Sequence, residues 1–213
     1  MSDLSRKLAG KFLVVDGPDG AGKSTQIRML IEYLKAQGAA LAVTRDPGGT
    51  PIGDKVRAIL LDNAHGEMAV ECELMLYMAS RAQLVHQVIR PALDKRQCVL
   101  CDRYVSATIA YQGAGGIAAG PIGRLAEIAT GGLWPDLTII LDIPSEIGLG
   151  RVGSSGGADR MEAKGLEFHR KVRQLFLDQA AAEPARFAVV DANGSPDEVH
   201  QRMVQTLMER LGG

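Results

Sequence analysis

Neither sign of charge dominates this chain: 24 lysines and arginines stand against 25 aspartates and glutamates, a formal net charge of −1 over 213 residues. That balance leaves no broad cationic face for a nucleic-acid duplex, so the basic residues must act locally. Three cysteines, an odd number without regular spacing, do not make a disulfide framework. No apolar run approaches a membrane span, and the short polar stretch Met1 to Lys11 lacks the h-region of a signal peptide. A reducing cytoplasm is the expected compartment. Internal repeats, low-complexity tails, interdomain linkers and an N-K-x-D guanine motif are all missing as well. The length suits one α/β core, so residues 1–213 are expected to form a single domain.

What is there gathers around KFLVVDGPDGAGKSTQ, Lys11 to Gln26. Phe12 to Val15 is β-branched and aromatic, as a buried parallel strand should be, and Ile27, Leu30, Ile31 and Leu34 recur at helical spacing. Between strand and helix, Gly17, Gly22, Lys23 and Ser24 fit G-x-x-x-x-G-K-[ST]. Glycines there let backbone N–H groups curl round a di- or triphosphate that also sits on a helix N-terminus. The loop Gly17, Pro18, Asp19, Gly20, Ala21, Gly22, Lys23, Ser24 and Thr25 is therefore the expected ATP site, with Lys23 on the β/γ-phosphates and the Ser24 hydroxyl on Mg²⁺.

Further strand patterns at Ala40 to Thr44, Gln97 to Cys101, Leu137 to Leu141 and Phe187 to Val190 alternate with helical ones. Five strands separated by helices predict a five-stranded parallel sheet covered on both faces. The second strand runs into Arg45-Asp46-Pro47-Gly48-Gly49, a turn at the carboxyl end of the sheet where ligands gather, so Arg45 is either an anion contact or a solvated arginine. Ile52 to Leu61 is helical, and Ala69 to Leu93 is a longer helical region that Pro91 must interrupt or restart. Within it Tyr77 and Arg81, four apart, share a face that could stack on a planar base and bond its edge, or simply pack into the core.

The third strand ends at Asp102-Arg103, an acid where such folds place a carboxylate near Mg²⁺ or its water shell. Asp142, at the end of the fourth strand, competes for that role; Asp102 is favoured because Arg103 follows it and can engage phosphate. Cys98 and Cys101 sit at odd spacing inside a strand, point to opposite faces, and read as small buried hydrophobes. Gly113 to Gly116 is a candidate close-approach or mobile loop. Arg151 to Arg160 is a Gly/Ser tract with an arginine at each end, read as a hinged lid or as a plain surface loop, before a helical pattern from Met161 to Ala182. Arg160 is the better candidate for a catalytic arginine, with Asp159 and Glu162 placed to hold it, whereas Arg151 ends the preceding helix.

Taken in order, GPDGAGKSTQ, TRDPGGTPIG, LYMASRAQ, DRYVSATIAYQG and DRMEAKGLEFHRKVR resemble the thymidylate kinase family along nearly the whole chain. The resemblance implies a three-layer P-loop NTPase fold, transfer of the γ-phosphoryl group of ATP to dTMP, Mg²⁺ as cofactor, and a homodimer. It implies that Asp19 holds the deoxyribose 3′-hydroxyl, that Tyr77 stacks on thymine, and that Arg81 bonds its O4 edge. Arg45 and Arg103 match arginines near the dTMP phosphate, and Thr108, Tyr111 and Gln112 match positions lining base and sugar, with Tyr111 disfavouring a 2′-hydroxyl. The chain departs from the pattern in three ways, at four positions. Asp16 and Asp46 stand where glutamates are common. Ala107, with Ser106 beside it, replaces a serine. Gly20 stands where one subgroup carries a catalytic arginine, which throws that charge onto Arg151 and Arg160 in the lid. The alternatives are another small-molecule or nucleotide kinase on the same fold, or a non-kinase P-loop ATPase.

Overall fold

The computed structural model describes residues 3–153 and 160–211. Five strands, β1 (Phe12–Asp16), β2 (Leu41–Arg45), β3 (Cys98–Asp102), β4 (Leu137–Asp142) and β5 (Phe187–Asp191), form one parallel sheet in the order β2-β3-β1-β4-β5. β1 is central and wholly buried, which is why Phe-Leu-Val-Val carries no polar alternation. Its side chains divide by parity. Leu13 and Val15 pack with Ile27, Leu30 and Leu34 of α2 (Lys23–Ala36) and with Met203 and Leu207 of α10 (Pro196–Leu211). Phe12 and Val14 face Leu74 and Met78 of α4 (Val70–Leu84) and Ile122 and Ala126 of α7 (Ala119–Thr130). Each fully buried leucine in these layers contributes about 1.5–3 kcal/mol. Cys98 falls in the first cluster and Cys101 in the second, on opposite faces of β3.

Several boundaries differ from the sequence-based expectation, each for a local reason. The helical region after residue 69 is, by contrast, interrupted and restarted at Pro91 as expected: α4 gives way to a single π turn (Val85–Ile89), where the Arg90 N–H reaches the Val85 carbonyl, and α5 (Arg90–Asp94) restarts with Pro91 in its first turn. Proline has no N–H to reach back and its ring clashes with the preceding turn, so a widened turn accommodates it. The expected helix from Met161 starts only at Leu166, because Gly165 is extended and serves as the N-cap of α9 (Leu166–Ala182). α6 (Val105–Ala114) takes up Gly113 and Ala114, so the glycines form a helix end rather than a long loop. A short helix, α1 (Asp3–Leu8), had no advance signal beyond a polar stretch, yet it buries Leu4 and Leu8 in the α2/α10 layer. The remaining helices are α3 (Pro51–Leu61), capped by the Thr50 hydroxyl on the Gly53 N–H, and α8 (Ser145–Gly153).

Candidate active site

At the carboxyl ends of β1, β2 and β3 the chain leaves a cavity of about 440 Å³. β1 ends in Asp16, and Gly17 follows at φ 134 with its missing side chain replaced by the backbone of β4: a Cβ there would lie 2.3 Å from the Leu141 carbonyl oxygen. Gly22 is left-handed and hands the chain to α2, which begins at Lys23. Lys23 Nζ folds back over the loop and donates to the carbonyls of Gly17 (3.0 Å) and Pro18 (2.7 Å). Burial, aided by the nearby Arg103 charge, lowers its pKa to about 8.

Arg103 is the hub. It adopts φ 64, an uncommon left-handed conformation for a residue with a side chain, held by its own N–H on the Val15 carbonyl (3.0 Å). Nη1 donates to Asp16 Oδ1 (3.0 Å) and the Gly17 carbonyl (3.0 Å), and Nη2 donates to Asp19 Oδ1 (2.6 Å) and the Tyr111 hydroxyl (3.3 Å). One guanidinium thereby ties the phosphate loop to α6. Asp16, wholly buried, also accepts from the Gly17 N–H (2.9 Å) and from the Ser106 hydroxyl (2.6 Å). Burial raises its carboxyl above the usual range although Arg103 opposes the shift. Ser106 thus has its own structural role, while Ala107 lines the cavity. In Asp19 burial pushes the carboxyl up, but Arg103 and Lys23 together outweigh it and the pKa is lowered. Its Oδ2 has no hydrogen-bond partner among the described residues, with His169 Nδ1 of α9 standing 3.8 Å away.

The opposite wall comes from α4. Tyr77 lines the cavity, and Arg81, which is 1 % exposed, donates through Nε to Asp46 and through Nη2 to Thr108 Oγ1 (2.8 Å) and the Tyr104 carbonyl (3.1 Å). Asp46 is fully buried, and its carboxyl is pushed up by burial while Arg81 pulls it down. The turn after β2 is fixed on α4 by the Gly48 N–H donating to Ser80 Oγ (3.1 Å). Arg45 reaches the cavity rim, exposed and paired with Asp54 (3.1 Å). Gln112 also lines the wall and donates from Nε2 to Glu73 Oε1 (2.7 Å).

The two candidate acids separate cleanly. Asp142 is occupied by Arg173, at 2.7 and 2.8 Å. Asp102 lines the cavity, and its Oδ1 is buried without a hydrogen-bond partner among the described residues. A hard divalent cation takes oxygen ligands, and this carboxylate with the Ser24 hydroxyl on the same cavity fits Mg²⁺.

The two lid arginines also part company. Residues 154–159, most of the expected lid and Asp159 with it, lie outside the described residues. Arg151 lines the cavity and its Nη1 approaches the Gly20 carbonyl at 3.4 Å. Arg160 points elsewhere: Nε donates to the Leu60 carbonyl (2.9 Å) and Nη2 pairs with Glu73, which ties it to α3 and α4. The sequence reading missed Arg57, which lines the cavity from α3 and donates to the Pro47 carbonyl (3.1 Å). Its spacing from the buried Gly53 and Leu60 was the available signal, since 53, 57 and 60 share a helix face. Glu73 was missed too, although Glu73, Tyr77 and Arg81 recur every four residues.

A parallel sheet in this order with a lysine-bearing phosphate loop, a strand-end acid, and arginines facing a second pocket wall defines a P-loop nucleoside monophosphate kinase. A sequence profile described as thymidylate kinase matches residues 15–203. The thymidylate kinase of Deinococcus radiodurans is 48% identical over 202 residues, covering 94% of this chain and 98% of that protein. That of Pseudomonas syringae pv. syringae is 44% identical over 205 residues, covering 96% and 97%. The crystal structure of thymidylate kinase from Ehrlichia chaffeensis superposes with a TM-score of 0.77 at 29% identity, covering 94% of this chain and 99% of that one. The chain belongs to the thymidylate kinase family.

Proposed function

We propose that the protein transfers the γ-phosphoryl group of ATP to dTMP, giving dTDP and ADP. One observation carries the reading: Arg103 joins the phosphate loop, through Asp16, Gly17 and Asp19, to the α6 wall of the same cavity, through Tyr111. A donor on the loop and an acceptor on the α4/α6 wall would meet at that guanidinium. Phosphoryl transfer asks mainly for in-line positioning and neutralisation of charge on the moving group. The acceptor phosphate oxygen is already anionic, so no strong base is required. Lys23, Arg103 and Arg151 supply positive charge, Arg45 and Arg57 face the acceptor phosphate, Tyr77 and Arg81 hold the base, and Asp19 Oδ2 accepts from the sugar 3′-hydroxyl.

Ser24 and Asp102, the latter directly or through water, would hold Mg²⁺. Bound there, the ion neutralises phosphate charge. We further propose a homodimer through neighbouring helices α3, α4 and α7, which expose Ile52, Ile59, Met75 and Ile128, and a cytoplasmic location in keeping with three free thiols. Among the described residues no helix is long and apolar enough to cross a membrane. A coupled assay of ADP release against dTMP, dUMP, dCMP, AMP and water tests the activity. Turnover with dTMP well above the others is expected, and equal release with water alone would identify a plain ATPase.

A further inference from the structure

Glu73 stands in the first turn of α4, is 1 % exposed, and its side-chain hydrogen bonds among the described residues go to Gln112 and Arg160. Its two carboxylate oxygens serve different parts of the chain. Oε1 accepts from Gln112 Nε2 at 2.7 Å, and Oε2 pairs with Arg160 Nη2. Arg160 itself is anchored by Nε on the Leu60 carbonyl (2.9 Å). A carboxylate paired with a guanidinium has only acceptors to offer. The Gln112 amide, which is nearly wholly buried, must therefore turn its NH₂ toward Glu73, since the reverse orientation would set two oxygens against each other. Gln112 Oε1 is then the one acceptor of that side chain left to a ligand. It is buried and has no hydrogen-bond partner among the described residues, on a residue that lines the cavity.

We propose that Glu73 is a positioning residue that sets acceptor-base specificity by locking the Gln112 amide with its oxygen available, and that Arg160 serves this lock by pairing with Glu73. An available oxygen requires an N–H on the base edge. Thymine and uracil carry one at N3, between two carbonyls, whereas cytosine offers a lone pair at N3. Arg81, two turns further along the same face of α4, has only donors and suits the adjoining carbonyl. Acceptor and donor together read the imide edge, and the lock decides which way the acceptor half faces. A site built to bond a polar group rejects the analogue lacking it because its own buried group is left unpaired.

This inference rests on the dTMP kinase reading, and the experiment separates the two. The ratio of kcat/KM for dTMP to that for dCMP is measured for the native protein, Glu73→Gln and Glu73→Asp. A native protein inactive on dTMP would refute the function itself. With native dTMP activity in place, Glu73→Gln can donate to Gln112 and release its NH₂ to the cavity, so the ratio is expected to narrow at least tenfold. Arg81 still opposes the cytosine amino group, which keeps the narrowing partial. Glu73→Asp keeps the charge and should retain most of the discrimination. An unchanged ratio in a folded Glu73→Gln protein, or equal losses on both acceptors, would overturn the proposal. Because a lone buried Arg160 charge can destabilise that variant, Glu73→Gln combined with Arg160→Met provides a second route to the same ratio. The native protein gives a readout that needs no variant: the Gln112 side-chain amide protons, followed by NMR, should be slow to exchange and stay on Glu73 when dTMP is added. Transfer of those protons to the ligand would overturn the proposal by itself.

Discussion

Gly20 of the phosphate loop and Gly148 of α8 pack backbone against backbone. A Cβ on Gly20 would lie 2.0 Å from the Gly148 carbonyl oxygen, and one on Gly148 would lie 2.3 Å from the Asp19 carbonyl oxygen. Gly20 also has φ 73, so it is doubly committed to glycine. A side chain at position 20 has no room here; α8 occupies its space and carries Arg151 to the same loop. Gly148→Ala should push α8 off the loop. We expect kcat at saturating ATP and dTMP to fall at least tenfold, with a stability loss of about 1–3 kcal/mol from overpacking, measured by steady-state kinetics and thermal melting. Full activity in this variant would show that α8 has no part in turnover.

The lid arginines should then behave differently. Arg151→Ala is expected to lower kcat at saturating substrates by more than tenfold, because arginine contacts to a transferring phosphoryl group are worth on the order of 10³ to 10⁵ elsewhere. Arg160→Ala should instead lower the melting temperature, since it strands the buried Glu73 carboxylate. The reverse pattern would restore Arg160 as the catalytic residue.

Lys23 has a pKa lowered to about 8 from 10.5. Phosphates restore its charge, so nucleotide binding near pH 8 should take up protons, detectable by calorimetry in buffers of different ionisation enthalpy. kcat/KM for ATP should fall as the pH rises through about 8, where the free protein loses this charge. For the empty protein the sign is opposite: between about 8 and 10.5 the unfolded chain holds the proton that the folded one has lost, so this group makes stability rise with pH in that window. Lys23→Ala should abolish the proton uptake and reduce kcat far more than ATP affinity.

Arg81→Ala should raise KM for dTMP and leave KM for ATP nearly unchanged. It also leaves Asp46 charged, buried and unpaired, at a cost of about 3–5 kcal/mol, so the protein should melt well below the native one. Combining it with Asp46→Asn should recover much of the stability and none of the dTMP affinity. Equal effects on both nucleotides would make the pair purely structural.

Asp19 has one oxygen on Arg103 and one without a hydrogen-bond partner among the described residues. Acceptors lacking the 3′-hydroxyl should therefore be poor with the native protein, and Asp19→Ala should erase much of that preference. A folded variant that keeps the preference would reduce Asp19 to shaping the loop and holding Arg103.

The sheet and the phosphate loop were legible in the sequence, because they depend on local periodicity and on glycines at fixed spacing. Phe12 to Val15 had to be a buried parallel strand, and Lys23 had to open a helix behind a glycine-rich turn. Pairings between distant segments were not legible. That Asp142 is spent on Arg173 while Asp102 stays open, that Ser106 rather than residue 107 reaches Asp16, and that Arg160 turns to Glu73 all follow from which elements the fold brings side by side. Charged side chains of similar sequence prospects acquire different roles only when burial fixes which partners lie within reach, and burial is a property of the packed sheet and helices, not of the chain taken residue by residue.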